Sequence, residues 1–564
     1  MPLLGIDLGT TFSAMAYLDA NGSPATILNA EGELTTPSVV LFDEDGEVIV
    51  GREARRAALA EPGRVAECAK RHMGDPYYPR LINGKRLSPI SLSALILKKM
   101  RQDAERRLET SIDGAVITVP AYFDEGRRQA TAEAGRLAGL RVIDIINEPT
   151  AAALAYAYRG ILKENDAKPA QAGNKPAETP ARTTLVYDLG GGTFDVTMLQ
   201  IAGRDLRVLA TAGDVRLGGR DWDERLFNHM ADQFVHAHQD DPRDDPVSSQ
   251  NLLLAAEETK KVLSLRKQTT FVVNHAGKTF SGEITRQQFD ALTESLLYRS
   301  ESRLNRVIKQ AELTWDRIDD VLVVGGSTRM PQVIEMLRRV TGKEPNCTLS
   351  PDEAVAHGAA IHAAICAAGA SARVAGAPKP QEPGPAAASP GAQTPEEKEL
   401  DLVLTRPGLL ASFKRGLLNL LRTIRTTNVN AYNLGVVVTT ADKQQRVTIL
   451  IPSNTQLPVS VKKRFGTASD NQAAVTVRIV EGESREPAEC IAVGACSIEP
   501  LPRGLPRNSP VDVTFTYDNS GRLHVEAIEA TYGNWASVAI KRQAGAARGT
   551  PMDEEPEVVA TPVS

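Results

Sequence analysis

Two short segments place aspartate, glycine and threonine at matched spacing: Gly5-Ile6-Asp7-Leu8-Gly9-Thr10-Thr11 and Val186-Tyr187-Asp188-Leu189-Gly190-Gly191-Gly192-Thr193. Glycine lets backbone N–H groups come close to phosphate oxygens and tolerates the φ values of an anion-cradling nest, while threonine hydroxyls add donors. Gly9, Thr10, Thr11, Gly190, Gly191, Gly192 and Thr193 therefore read as phosphate donors. Asp7 and Asp188, each two residues ahead of a glycine, stand where a carboxylate holds a hydrated Mg²⁺ that bridges phosphates. One Asp-Leu-Gly is a common turn tripeptide. Two copies in matching context point to a duplicated site that clamps a nucleotide tail from both sides.

Each turn follows an apolar run and precedes an alternating one, residues 12–18 and 194–199, so each reads as the bend of a β-hairpin. Up to about residue 370, short apolar strands (3–7, 114–119, 184–188, 320–324) alternate with amphipathic helices such as 91–108 and 124–138, an α/β pattern. The small-residue run 354–370 reads as a buried helix, and the polar stretch 163–182 as a surface loop. Residues 371–398 collapse to Ala, Pro and Gly and read as a disordered linker. Residues 399–428 hold an acidic-apolar segment, then a basic amphipathic helix over 408–425. Leu410, Phe413, Leu417, Leu420, Leu421 and Ile424 form its stripe, with Lys414, Arg415, Arg422 and Arg425 beside it. Residues 429–540 carry strand signals at 447–451, 474–480, 511–517 and 523–527 and read as an all-β sandwich; 541–564 reads as a disordered tail.

The 564 residues carry a formal net charge of -5, which gives no electrostatic case for nucleic acid. Five cysteines without a Cys-x-x-Cys pair argue against a disulfide framework and fit a reducing cytoplasm. The first hairpin follows the N-terminus directly, leaving no room for a cleavable signal. No apolar stretch approaches ~18 residues free of charge or histidine, so a membrane is not an expected partner.

Further strings sit in register with the two turns: Val119-Pro120-Ala121-Tyr122-Phe123, Asn147-Glu148-Pro149-Thr150, Gly325-Gly326-Ser327-Thr328-Arg329-Met330-Pro331, Pro351-Asp352-Glu353-Ala354-Val355 and Phe465-Gly466-Thr467-Ala468-Ser469-Asp470-Asn471-Gln472. Together they resemble the seventy-kilodalton heat-shock chaperones of DnaK type, in the actin-like ATPase superfamily. The resemblance implies an actin-like, ribonuclease-H-like duplicated α/β ATPase domain (1–370) followed by the β-sandwich peptide-binding domain. It implies ATP or ADP with Mg²⁺, potassium as a further candidate ion, and peptide binding coupled to hydrolysis. Lys70, Glu148, Asp188, Thr193 and Asp195 match catalytic positions, and Asp7 and Asp188 the metal carboxylates. Gly219, Glu257, Lys260, Lys261, Ser264, Gly325, Gly326, Ser327, Arg329 and Asp352 match nucleotide contacts. Pro120 and Arg128 match a proline switch and its arginine. Val436, Val438, Phe465, Ala468, Val475 and Val477 match the peptide cleft. Taken alone, Lys70 and the charged helix face at 257–264 read as solvated surface, and the alternating valines as sandwich core.

The chain departs from that pattern in ways that shape the expected partners. An Ala/Pro stretch stands where the family has its short acidic, leucine-rich linker, and Glu399-Leu400-Asp401-Leu402-Val403-Leu404 reads as that linker displaced. The basic helix over 408–425 reads either as packed on one of the two domains or, because its leucine core with basic flanks at 417–422 is substrate-like, as an occupant of the protein's own cleft. Asp144 replaces a basic residue that meets J-domain co-chaperones, which points to a dedicated J-protein or none, beside an exchange factor. About 30 residues follow the β domain, too few for the family's helical lid. The leading expectation is an ATP-dependent chaperone for unfolded or apolar peptide segments; the alternative is an ATP-regulated scaffold with one dedicated client.

Overall fold

Residues 2–167, 180–376, 413, 415–440, 444–518, 523–539 and 561–562 are described in a computed structural model of the chain. The first phosphate turn closes an antiparallel hairpin, with Leu4–Asp7 paired to Phe12–Leu18 so that Asp7 lies opposite Ala14. Leu4–Asp7 also runs parallel to Gly114–Val119, and that strand to Arg141–Asn147. Parallel neighbours need crossovers. Pro89–Leu108 and Glu125–Leu137 supply them, started by the Ser88 and Asp124 side chains, which accept the backbone N–H of Ser91 and Arg127.

The second hairpin repeats the plan. Arg182–Leu189 pairs antiparallel with Phe194–Ala202 and parallel with Asp320–Val324, and Asp205–Asp214 continues the sheet. One core joins both sheets to the helices Glu148–Ala167 and Ala354–Gly376, whose Ala151, Ala152, Ala356, Ala359 and Ala363 are wholly buried. The fit is backbone against backbone: a Cβ at Gly358 would strike the Ala151 carbonyl, and one at Gly5 the backbone of Ala360. Gly358→Ala is therefore expected to destabilise this two-sheet domain by about 1–3 kcal/mol through overpacking. Denaturant unfolding of that domain measures this, and an unshifted midpoint would contradict the packing described.

The helix Ala354–Gly376 runs past the expected boundary at 370. The rest of the expected linker, the acidic-apolar segment 399–404 and the start of the basic helix lie outside the described residues. The remainder of that helix, Arg415–Thr423, corrects the expectation of self-occupancy. Leu420, Leu421 and Ile424 are at most 6% exposed within the core of the two-sheet domain, with Phe413 and Leu417 packed against it. Arg422 Nε donates to the Ala368 carbonyl at 3.1 Å. The physical reason is the groove beside an alanine-rich helix, which the leucine stripe fills without leaving its own half of the molecule. The chain then adds Arg425–Thr427 parallel to Asp205–Asp214, covering that sheet's edge.

The β domain is a sandwich. One sheet runs in the order Gln445–Ile451, Asn433–Thr439, Val475–Gly482, Ile491–Ile498; the other contains Trp535–Ala539, Leu523–Glu529, Pro510–Tyr517 and Val459–Gly466. Of the expected tail, 541–560 and 563–564 lie outside the described residues. Thr561–Pro562 instead forms a short strand on Val459–Gly466, with Pro562 opposite Phe465.

Candidate nucleotide site and interdomain contact

The two turns face each other across a cleft of ≈ 790 Å³. A Cβ at Gly191 would collide with Thr11 and one at Gly192 with Thr10, so only glycine permits this approach. Asp7, Gly9, Thr10, Thr11, Lys70, Glu148, Asp188, Gly190, Gly191 and Thr193 line the cleft. Gly192 does not line it; it packs behind the turn against Gly218. Asp195 also lies behind, its Oδ1 accepting the backbone N–H of Tyr122 at 3.0 Å.

Lys70 stands on the short turn Ala69–His72 and is 4% exposed, forming an ion pair with Glu148. Its expected surface alternative is thereby replaced by a buried ammonium. Around it lie Asp7, Asp188 and Asp195. Burial, reinforced by Glu148, pushes the Asp7 carboxyl up to about 7, although the Thr118 hydroxyl donates to it at 3.1 Å. Burial and Glu148 also hold Asp188 and Asp195 well above the usual carboxylate range. One ammonium among these carboxylates leaves a buried excess of negative charge, an environment that calls for a further cation.

Gly219, Glu257, Lys260, Lys261, Ser264, Gly325, Gly326, Ser327, Arg329 and Asp352 line the other end. Lys260 Nζ meets Asp223 at 2.6 Å, Ser327 Oγ donates to the Gly190 carbonyl at 2.9 Å, and Arg329 pairs with Asp352 at 2.6 Å. Arg55, Glu67, Cys68, Arg220 and Asp223 also line the cleft and were not anticipated. Arg55 bridges to Glu257 at 2.6 Å and Arg71 to Asp221 at 2.9 Å, tying the two lobes together. The partners are 202 and 150 residues apart, so no local pattern announces them. Arg128 lies away from the cleft, donating to Asn147 Oδ1 at 2.5 Å and the Ile145 carbonyl at 3.1 Å. Pro120 is buried between the strand Gly114–Val119 and Tyr122.

The Hsp70 protein family matches residues 3–81, 79–374 and 420–559 of the chain. The chain belongs to the Hsp70 family. Similar proteins include the Chaperone protein DnaK of Thermotoga neapolitana, 38% identical over 548 residues that span 95% of this chain and 80% of that protein. The Chaperone protein DnaK of Halobacterium salinarum is 37% identical over 552 residues, 96% of this chain and 75% of that one. This Hsp70-family chain is an ATP-dependent chaperone that binds nucleotide, with an actin-like ATPase domain and a β-sandwich substrate domain. Among the described residues, no helix is long and apolar enough to cross a membrane.

In this Hsp70-family chain the β domain rests on the ATPase domain beside Pro120. The Tyr122 hydroxyl donates to Glu483 at 2.6 Å, and its ring lies 4.5 Å from that of Tyr432, whose hydroxyl donates to the Tyr122 carbonyl at 3.1 Å. Arg306 pairs with Glu483, Thr150 Oγ1 donates to Asn428 Oδ1 at 3.2 Å, and Thr211 N donates to Asn454 Oδ1 at 2.9 Å. The six expected cleft residues divide. Val436, Val438, Phe465, Val475 and Val477 are at most 4% exposed in the sandwich core, and only Ala468 is half-buried. Asp144, on the strand Arg141–Asn147, is partly buried and meets His362 Nε2 at 2.8 Å.

Glu125 sits in this interface, its N–H donating to Glu481 Oε2 at 3.3 Å, and burial raises its carboxyl to about 7 from a normal 4.5. A raised carboxylate disfavours the ionised form, so docking is strongest below the ordinary value and weakens as pH climbs through about 7. The penalty above that point is at most ~3 kcal/mol. Docking followed by interdomain fluorescence transfer should be tighter at pH 6 than at pH 8, and Glu125→Gln should flatten the dependence. A variant that keeps the wild-type profile would remove Glu125 as its cause.

Proposed function

We propose that ATP hydrolysis between the two hairpins controls how the β domain holds extended apolar peptide segments, and that Tyr122 links the two. The observation that carries this reading is a single side chain with its backbone on Asp195 and its ring and hydroxyl on Tyr432 and Glu483. Gly9, Thr10, Thr11, Gly190, Gly191 and Thr193 bind and orient the phosphates, with Gly192 shaping the turn. Lys70 presents positive charge at the transferring phosphoryl group, where catalysis is mostly positioning and charge stabilisation. The acidic set fits Mg²⁺, which Asp7 and Asp188 would hold with Glu148 and Asp195 completing the acidic surroundings; the ion, when bound, would neutralise phosphate charge. Potassium would enter the same acidic cleft. Glu257, Lys260, Lys261, Ser264, Gly325, Gly326, Ser327, Arg329, Asp352 and Gly219 orient the adenosine end. Pro120 and Arg128, flanking Tyr122 in sequence, position it.

Val436, Val438, Phe465, Ala468, Val475 and Val477 would receive the peptide once the sandwich opens. Cytoplasmic residence, a dedicated J-domain partner and an exchange factor belong to the same reading. A second reading, an ATP-regulated scaffold with one dedicated client, draws support from the closed packing of five of those six side chains. Phosphate release measured with and without a panel of unrelated leucine-rich peptides tests both. Acceleration by many peptides is the chaperone result. Turnover that no peptide in the panel alters would favour the scaffold, and no phosphate release would remove the proposal.

A further inference from the structure

Far from the two phosphate turns in sequence, three side chains of metal-ligating type converge. Asp144 projects from the strand Arg141–Asn147, and His362 and Cys366 stand one turn apart on the helix Ala354–Gly376. One ligand atom from each lies within 4.8 Å of the others, and all three residues are partly buried. The imidazole is unevenly satisfied: Nε2 meets Asp144 Oδ2 at 2.8 Å, while the buried Nδ1 has no hydrogen-bond partner. An ion shared with Asp144 would sit on the Nε2 side of the ring, taking the place of that hydrogen bond.

We propose that Asp144, His362 and Cys366 bind a divalent transition-metal ion of the zinc class. The donor set selects the ion. Imidazole and thiolate suit zinc-like cations and not magnesium or calcium, which take oxygen. Two anionic donors, carboxylate and thiolate, neutralise a dication in a setting where an uncompensated charge would be expensive. Donors ~2.0–2.3 Å from a common centre stand between 3 and 4 Å apart, so roughly an ångström of side-chain adjustment closes the site. Three protein ligands leave a fourth position for water or an incoming group.

The location gives the ion a structural consequence. Its strand ends at Asn147, next to Glu148 of the nucleotide site, and its helix receives Arg422 at the Ala368 carbonyl, two residues past Cys366. Bound metal would pin that helix to that strand where the segment entering the β domain crosses it.

Cobalt(II) added to the metal-free full-length chain is the probe. The expected result is a one-to-one complex with a thiolate-to-cobalt charge-transfer band, displaced by zinc. Cys366→Ser, nearly isosteric, should abolish the band, and His362→Gln and Asp144→Asn should each weaken binding more than tenfold. Because Cys68 lines the nucleotide cleft and Cys347 is exposed, the double variant Cys68→Ser/Cys347→Ser should keep the band. No band in the wild type, a band surviving Cys366→Ser, or unchanged affinity in the His362 and Asp144 variants would overturn the proposal.

Discussion

Replacing Lys70 by alanine should lower the rate of ATP hydrolysis by about 10²–10³-fold, the loss typical of removing one preorganised charge donor from a reacting oxyanion. The geometry makes this residue hard to substitute. Its ammonium is almost fully buried, pairs with Glu148, and stands among Asp7, Asp188 and Asp195, whose acidities burial has already displaced. Removing it takes away positive charge at the phosphoryl group and leaves Glu148 unpaired. ATP affinity should fall much less, because Lys260, Lys261 and Arg329 stand at the opposite end of the cleft. Single-turnover hydrolysis with a parallel binding titration separates the two effects. An unfolded variant would show itself as lost binding, and turnover within a few-fold of wild type with binding intact would mean that Lys70 has no catalytic part.

Tyr122→Ala should leave hydrolysis largely intact and break its connection to the β domain. Alanine keeps the backbone N–H that reaches Asp195, yet deletes the hydroxyl bond to Glu483 and the ring packed on Tyr432. A charge-assisted hydrogen bond and an aromatic pair together are worth about 2–4 kcal/mol, enough to move a docking equilibrium about 30- to 1,000-fold. Interdomain fluorescence transfer should then lose its response to ATP, while Tyr122→Phe, which loses only the hydroxyl, should fall between. Normal ATP-driven docking in the alanine variant would place the coupling elsewhere, among contacts such as those of Arg306, Thr150, Thr211 and Glu125.

How far the sequence announces this molecule depends on the range of the interaction. The hairpin turns are legible because aspartate, glycine and threonine act locally, and their duplication appears directly as two sheets built to one plan. Strands such as Gly114–Val119 and Asp320–Val324 occupy the expected spans because apolar runs between turns leave little choice. The bridges Arg55–Glu257 and Arg71–Asp221 were invisible, since only the closing of two lobes brings such distant charges together. The leucine stripe before the β domain was legible as a buried face, and of its two readings the packed one holds while occupancy of the protein's own cleft does not. Hydrophobic periodicity says that a face is buried, but the groove of Ala354–Gly376 decides where. Asp144 was judged by its position in a chain pattern, and its contact with His362 depended on a helix more than 200 residues later.

The account stands or falls on whether the nucleotide cleft governs the β domain through the contact at Tyr122. The direct measurement is the release rate of a fluorescent leucine-rich peptide from the full-length chain, first in ADP and then in ATP. Release that is at least tenfold faster in ATP is the predicted result. Equal rates in the two nucleotides, with hydrolysis intact, would contradict it.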